Sequence, residues 1–284
     1  MRNKRHEKHI MLQIIEKRFE VTNKENLFAT LFFDYDLSCQ PGQFVMLWIP
    51  GIDEKPFAIS YYSKHEFGIT IEVKGPFSFK AANLKKGDLV GIRGPFGNFF
   101  NYKKYSYNAV VAGGCGLASL ATLVEKLPLN TCFIHGARSK NLLLYLDRFD
   151  IKRQFCTDDG SFGYKGFVTD VFENSIKLGQ KFEMVYACGP EVMMYNVFNI
   201  CQKNKIPCQI SLERYMRCGF GICGACVCND QIVCKDGPVF NSDKLCNMDN
   251  FNKSALLRSG KELEMKQYFS QSYLWKKENC KQQD

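Results

Sequence analysis

Five of the chain's fourteen cysteines crowd into RCGFGICGACVCNDQIVC, residues 217–234, and no other stretch restricts the fold as much. The first three, Cys218, Cys223 and Cys226, fall as C-x4-C-x2-C, and Cys228 and Cys234 follow. Thiolates separated by glycines suit an iron–sulfur cluster. Glycine lets the loop turn tightly, and its backbone N–H groups point at the sulfurs and tune the potential. The opening is a [2Fe–2S] spacing, whereas zinc knuckles pair cysteines as C-x2-4-C. The alternative is a distorted four-thiolate zinc site from Cys223, Cys226, Cys228 and Cys234. Only one of Cys228 and Cys234 is needed as a fourth cluster ligand. Cys228 lies two positions after Cys226, and the longer loop to Cys234 can wrap a cluster, which favours Cys234. A chain built around such a loop moves electrons. Most remaining cysteines are scattered singly through apolar segments, the usage of a reducing compartment rather than a disulfide framework.

A length of 284 residues is expected to divide into two or three domains. Apolar stretches such as FVMLWI (44–49) are strand-length, far below the roughly 18–20 residues of a membrane span. The basic N-terminal stretch has too short an apolar part for a secretory leader, so a cytoplasmic protein with no membrane association is expected. The net charge of +9 is dispersed, without a basic cluster interleaved with aromatics. That argues against nucleic acid and for an anionic cofactor or acidic partner.

Residues 1–104 read as antiparallel β. FVMLWI, FAISYY (57–62), FGITIEV (67–73) and DLVGIRG (88–94) are separated by the turn sequences PGQ, KGPFS and KKGD, an even spacing that predicts a small barrel or sandwich. From 105 to 208 strands alternate with helices. NAVVA (108–112) runs into a helix carrying Leu117, Leu120, Ala121, Val124 and Leu127. CFIHG then reads as a strand, KNLLLYLDRF (140–149) as a helix and RQFCT as a strand. A short helix near 168–174, the strand EMVYACG, a helix over 191–203 and PCQISL follow. This predicts a parallel sheet of about five strands. The cluster segment occupies 209–248. The polar remainder, 249–284, reads as a helical or partly disordered tail with one aromatic cluster (Tyr268, Phe269, Tyr273, Trp275) and no assignable role.

Two strand-to-helix junctions are glycine-loaded: VVAGGCGLAS, with Gly113, Gly114 and Gly116, and ACGPEVM, with Gly189, Pro190 and Glu191. At such turns backbone N–H groups and a helix N-terminus can meet a pyrophosphate, at the strand ends where open α/β sheets bind ligands. Glycine here can equally serve the turn alone. In TDDGSFGYKG (157–166), Asp158 and its neighbour Asp159 would accept from ribose hydroxyls and repel a 2′-phosphate, favouring NAD over NADP; a solvated turn is the bland alternative. In the β half, KPFAIS (Lys55, Pro56, Phe57, Ala58) and KGPFS (Lys74, Gly75, Pro76, Phe77, Ser78) could hold a flavin and its phosphates, or be surface residues.

Together these motifs resemble the ferredoxin reductase superfamily, most closely the electron transfer subunits of type B dihydroorotate dehydrogenase, over roughly residues 10–245. The resemblance is carried by KPFAIS, KGPFS, GIRGPFGNFF, VAGGCGLAS, HGARS, TDDGSFGYKG, YACGPEVMM and LERYMRCGFGICGACVC…VCKDGPVF. It implies a Greek-key FAD barrel, a nicotinamide-nucleotide (NAD) domain and a small [2Fe–2S] domain. It also implies Cys218, Cys223, Cys226 and Cys234 as ligands, with Cys228 spare. In the family's flavin motif Lys55 keeps the cation, while Ala58 stands where a hydroxyl near flavin N5 is expected, and Ser119 replaces a usual proline. Cys188 is the candidate to lie near the nicotinamide C4, or else is a buried small hydrophobe. The implied partner is an FMN-containing dihydroorotate dehydrogenase catalytic subunit, in a heterotetramer, with electrons passing through [2Fe–2S] and FAD to NAD+. The rivals are an NAD(P)H-linked subunit of a ferredoxin, sulfide or hydrogenase-type complex, and a non-catalytic zinc and nucleotide-binding module.

Overall fold

A computed structural model describes residues 8–22 and 27–268; the expectations for Phe269, Tyr273 and Trp275 lie outside this range. The first half is a closed antiparallel barrel of β1 (Ile10–Thr22), β2 (Leu27–Asp34), β3 (Phe44–Ile49), β4 (Asp53–Tyr62), β5 (Glu66–Glu72) and β6 (Leu89–Phe96). Its order, β1-β2-β5-β4-β3-β6, contains the β2-to-β5 and β3-to-β6 adjacencies of a Greek key. Residues such as Leu31, Phe33, Val45, Leu47, Phe67, Ile69 and Ile71 alternate into its interior, as the two-residue period of a strand requires. The strands β1 and β2 escape a reading by alternation because β1 slips register twice against β2, at Ile14/Glu16 and Phe19/Val21. KGPFS is not a turn. It starts α1 (Pro76–Asn83), with Pro76 in the first turn and the Ser78 hydroxyl accepting from the N–H groups of Lys74 (2.8 Å) and Gly75 (3.0 Å).

The second half centres on β7 (Asn108–Gly113), α2 (Leu117–Val124), β8 (Cys132–Ala137), β9 (Arg153–Thr157), β10 (Tyr164–Lys165), α3 (Val168–Lys177), β11 (Met184–Cys188), α4 (Glu191–Lys203) and β12 (Cys208–Ser211). The five expected parallel strands stand in the order β9-β8-β7-β11-β12, extended by β10 at one edge. At the other edge β15 (Val239–Asn241) adds antiparallel to β12. The cluster segment is thereby stitched into the sheet. Its remaining elements are a minimal hairpin, β13 (Val227–Cys228) and β14 (Gln231–Ile232), and the single turns α5 (Val233–Asp236) and α6 (Ser242–Leu245). The start of the polar tail is ordered: β16 (Ser254–Leu256) pairs with β17 (Glu262–Glu264), and a helical turn reaches Tyr268.

The expected helix over 140–149 does not form. A short 3-10 turn at Lys140–Leu142 gives way to extended chain, and Tyr145 takes φ 54°. Leu142, Leu143, Leu144 and Tyr145 are all buried, and four consecutive buried side chains cannot share one helix face. They wedge between barrel and sheet instead. The Tyr145 hydroxyl lies 2.5 Å from Thr70 Oγ1, itself bonded to Thr30 and Ser60, and Arg148 stacks 3.5 Å above Tyr61 while donating to the Ser60 carbonyl at 2.6 Å. Ser60 is thus occupied in this latch.

In β8, His135 is fully buried among Phe133 and Phe155, and neither ring nitrogen has a partner among the described residues. Burial, helped by the nearby Arg153 charge, pulls its pKa from 6.5 down to about 3. The neutral ring is accommodated, so the contribution to stability is full above the unfolded value. It is lost as pH falls below 6.5, because only the unfolded chain then takes up the proton. Chemical denaturation should show His135 accounting for about 2 kcal/mol of the stability lost between pH 7 and pH 5. His135→Leu should remove that share; an unchanged pH slope in this variant would refute the assignment.

Candidate functional site

The cluster loop leans on the barrel. Arg93 grips the Glu54 carboxylate with two N–H groups (2.8 and 2.5 Å), and the same Nη2 donates to the Cys218 carbonyl at 3.0 Å. Gly219 and Gly221 have φ of 81° and 90°, and a Cβ on Gly219 would stand 2.7 Å from Met46 Cγ of β3. Glycine is therefore required both for the turn and for the approach.

Among the described residues no three His, Cys, Asp or Glu side chains stand close enough to hold one metal ion. Backbone donors reach the loop thiols instead, the Ile222 N–H donating to Cys218 Sγ at 3.4 Å. N–H groups donating to thiolate sulfurs are the surroundings of an iron–sulfur cluster, and Cys218, Cys223, Cys226 and Cys234 would supply the two thiolates that each iron of a [2Fe–2S] cluster takes, whereas no three of them surround a single point as a zinc site requires. Burial would raise the Cys218 thiol, but backbone N–H groups of Cys223, Phe220 and Ile222 outweigh it and bring its pKa down to about 6. The Cys226 thiol is lowered to about 7, first by its hydrogen bond with Cys234, whose own pKa rises correspondingly. The Cys234 N–H also points at Cys226 Sγ, at 3.3 Å. Cys228 stands apart. It is buried, and its sulfur accepts from Arg214 Nη2 at 3.3 Å.

Beside the loop, a cavity of about 1120 Å³ opens between the barrel and the carboxyl ends of the parallel strands. The barrel contributes Lys55, Pro56, Phe57, Lys74, Gly75, Pro76, Phe77 and Ser78; the sheet contributes Gly113, Gly114, Gly116, Asp158, Gly189, Pro190 and Glu191. Residues chosen from two separate halves of the sequence thus meet around one space. Two do not. Ala58 sits opposite Phe44 in the β3–β4 ladder and is outside the lining. Cys188 is fully buried behind the wall, its Sγ 3.5 Å from the Ser211 carbonyl; the cysteines in the lining are Cys115 and Cys156.

Most of the glycines serve packing. A Cβ on Gly116 would lie 2.4 Å from the Cys188 carbonyl oxygen, and one on Gly113 would meet Met193 and Pro190, so the two junctions interlock; Gly114, at φ 52°, faces open space. Gly116→Ala should cost about 1–3 kcal/mol by overpacking, read as a lowered unfolding midpoint, and an unshifted midpoint would show that the junctions can part freely.

The charges are already partly engaged. Lys55 Nζ lies 2.5 Å from Asp53, and Lys74 Nζ lies 2.9 Å from Glu72. Burial opposes the Lys74 charge, but Glu72 and Glu213 more than offset this and raise its pKa. Glu191 is committed to structure: it is 3% exposed, forms a two-pronged ion pair with Arg214, and accepts the Asn252 N–H at 2.7 Å.

Several lining residues were not singled out as site residues, although all but Met265 stand in segments quoted above: Cys115, Arg138, the run Glu213–Met216, Met265 and Tyr268. Arg138 follows the carboxyl end of β8, level with both glycine junctions, and that position was a usable signal. Glu213–Met216 was overshadowed by the cysteines it precedes. Tyr268 stood out only as part of an aromatic cluster without a role, and the tail hairpin carries it to the cavity, with Arg258 placed 3.7 Å from Asp53 on the way.

Residues 213–246 match the sequence model of a family described as "Iron-sulfur cluster binding domain of dihydroorotate dehydrogenase B". A probable dihydroorotate dehydrogenase B (NAD(+)), electron transfer subunit, of Methanocaldococcus jannaschii is 45% identical over 251 residues, covering 86% of this chain and 95% of its own length. The chain belongs to this electron transfer subunit family. A further member, from Pyrococcus horikoshii, is 42% identical across 81% of this chain and 90% of its own. Among solved structures, an NADH-dependent reduced ferredoxin-NADP oxidoreductase superposes with a TM-score of 0.74 at 24% identity, covering 93% of this chain and 98% of that one. A ferredoxin NADP+ reductase from Neisseria gonorrhoeae gives 0.57 at 16% identity, over 69% and 91%. These two likenesses establish the shared fold. No helix among the described residues is long and apolar enough to cross a membrane.

Proposed function

We propose that this electron transfer subunit carries electrons from an FMN-containing dihydroorotate dehydrogenase catalytic subunit, through a [2Fe–2S] cluster on Cys218, Cys223, Cys226 and Cys234, to FAD and NAD+ in the cavity. The observation that carries this reading is continuity. Glu213, Arg214, Tyr215 and Met216 line the cavity and lead directly into Cys218, so cluster loop and cavity share a wall. FAD supplies the exchange between the cluster's single electrons and the two-electron chemistry of nicotinamide. The chain's own groups bind and orient. The N–H groups around Cys218 favour its thiolate. Lys55 and the start of α1 lie where a pyrophosphate would be met by a cation and helix N–H groups. The junctions at Gly114 and Gly189, with Asp158, form the nucleotide side. The division into barrel, sheet and cluster segment, work in the cytoplasm, and a heterotetramer with the catalytic subunit belong to the same proposal.

The test is reconstitution. The anaerobically purified chain should contain FAD and iron and reduce artificial acceptors with NADH, yet oxidise dihydroorotate only after the FMN subunit is added. Failure to gain that activity, with copurification of a ferredoxin- or sulfur-reducing protein, would assign it to another complex. Lys55→Ala should weaken FAD binding by about 1–3 kcal/mol, as expected for a charge-assisted hydrogen bond, less whatever Asp53 already draws from that charge. Unaltered FAD affinity on titration would move the phosphates elsewhere.

A further inference from the structure

Residues 249–268 are tied to the body at two places. At the base Phe251, 2% exposed, packs edge-on against Tyr195 (5.5 Å between ring centroids) and Phe198 (6.1 Å) of α4. Beside it the Asn252 N–H donates to Glu191 at 2.7 Å, and the Asn250 N–H donates to Asn229 of the cluster segment at 2.7 Å. At the tip, the turn over 257–261 places Arg258 3.7 Å from Asp53, which also pairs with Lys55 on the barrel. In between, β16 and β17 pair only with each other, and two strands alone are marginal in water. Contact with the body supplies the rest: Ala255 and Met265 are buried, and Met265 and the half-buried Tyr268 form part of the cavity wall. The hairpin thus runs from the nucleotide side of the cavity to its barrel side.

We infer that residues 249–268 are a strap over the barrel side of the cavity, which retains the bound flavin and opens for the flavin to leave. Two observations select the flavin over the nicotinamide nucleotide. The tip lands on Asp53 beside Lys55, on the half proposed to hold the flavin phosphates. On the sheet side Gly114 faces open space, and Arg138 and Asp158 are exposed, so a second ligand can come and go with the strap shut. The wall it adds, an aromatic ring and a thioether, suits a flat ring system. The two attachments also differ in strength. The base is a buried aromatic cluster, whereas the tip is an ion pair whose Arg258 side chain is 75% exposed, and such pairs hold weakly. Opening therefore releases the tip first and hinges at the base.

The strap rests on the reading that FAD fills the barrel side, and one set of measurements tells the two apart. FAD-loaded full-length protein is diluted and flavin release is followed by fluorescence. Tyr268→Ala, at a half-buried position, and Met265→Ala/Tyr268→Ala should release FAD about tenfold or more faster, with NAD+ affinity within about twofold of the unsubstituted protein. By linkage, bound FAD holds the strap shut, so saturating FAD should slow tryptic cleavage after Arg258 and Lys261 about tenfold or more in the unsubstituted protein. Release within about twofold of the unsubstituted rate in both variants, or cleavage indifferent to FAD, would overturn the strap. An equal loss of NAD+ affinity would mean a general loosening of the fold and would overturn it too. Should the double variant not fold, Tyr268→Ala and the cleavage measurement decide. An unsubstituted protein that binds no FAD would overturn the functional reading and the strap with it, whereas FAD bound but released at an unchanged rate overturns the strap alone.

Discussion

Anaerobically purified Cys226→Ser protein is expected to lack the visible absorbance and the reduced-state EPR signal of a [2Fe–2S] cluster, and Cys234→Ser to lack them equally, while Cys228→Ser keeps both. Cys226 and Cys234 are two of the four proposed ligands, and each iron takes two thiolates, so removing either leaves an iron short of a sulfur. Cys228 faces the other way, its sulfur engaged by Arg214. Serine there keeps an acceptor for that guanidinium. The same loss is expected for Cys218→Ser and Cys223→Ser. Because cluster binding and folding of a small ligand loop are coupled, the two clusterless variants should also unfold earlier than the Cys228 variant. Stoichiometric zinc in the unsubstituted protein with no EPR signal would reject the cluster. Loss of signal in Cys228→Ser with retention in Cys234→Ser would reassign the fourth ligand.

Glu191→Ala should lower the unfolding free energy by about 3–5 kcal/mol, because it strands a buried guanidinium. The pair is 2% and 3% exposed at its side chains, and the lost carboxylate also releases the Asn252 N–H that ties in the tail. Replacing both partners, as Glu191→Leu/Arg214→Met, should recover much of the loss, since a buried ion pair contributes little net stability compared with apolar packing. Chemical denaturation of the three proteins separates the possibilities. If Glu191→Ala costs under about 1 kcal/mol and only weakens nucleotide binding, Glu191 is a ligand for the nucleotide and its pairing with Arg214 is incidental.

Local chemistry made much of this protein legible. The cluster loop could be read from spacing alone, since ligands close in sequence are close in space. The α/β half could be read from its alternation of apolar strands and helical faces, and α4 begins at Glu191 as the sequence indicates. The flavin-side and nucleotide-side motifs were each recognisable as candidates because a glycine junction or a Lys-Pro strand carries its chemistry within a few residues. The latch over 140–149 reads as a helix because leucine is a strong helix former, and only the neighbouring barrel makes burial of four consecutive residues favourable.

Tertiary structure decided which candidates act together. It drew the barrel and junction residues around one cavity, turned Cys188 behind the wall and brought Cys115 to its surface. It used Glu191 to neutralise Arg214, and it gave Cys228 a partner other than the cluster. It also carried Tyr268, fifty-two residues beyond Met216, to the same wall. The physical reason is that a side chain's composition and spacing fix what it can bond. Which partner it finds depends on contacts between segments distant in sequence, and those contacts exist only once the barrel, the sheet and the tail hairpin have packed.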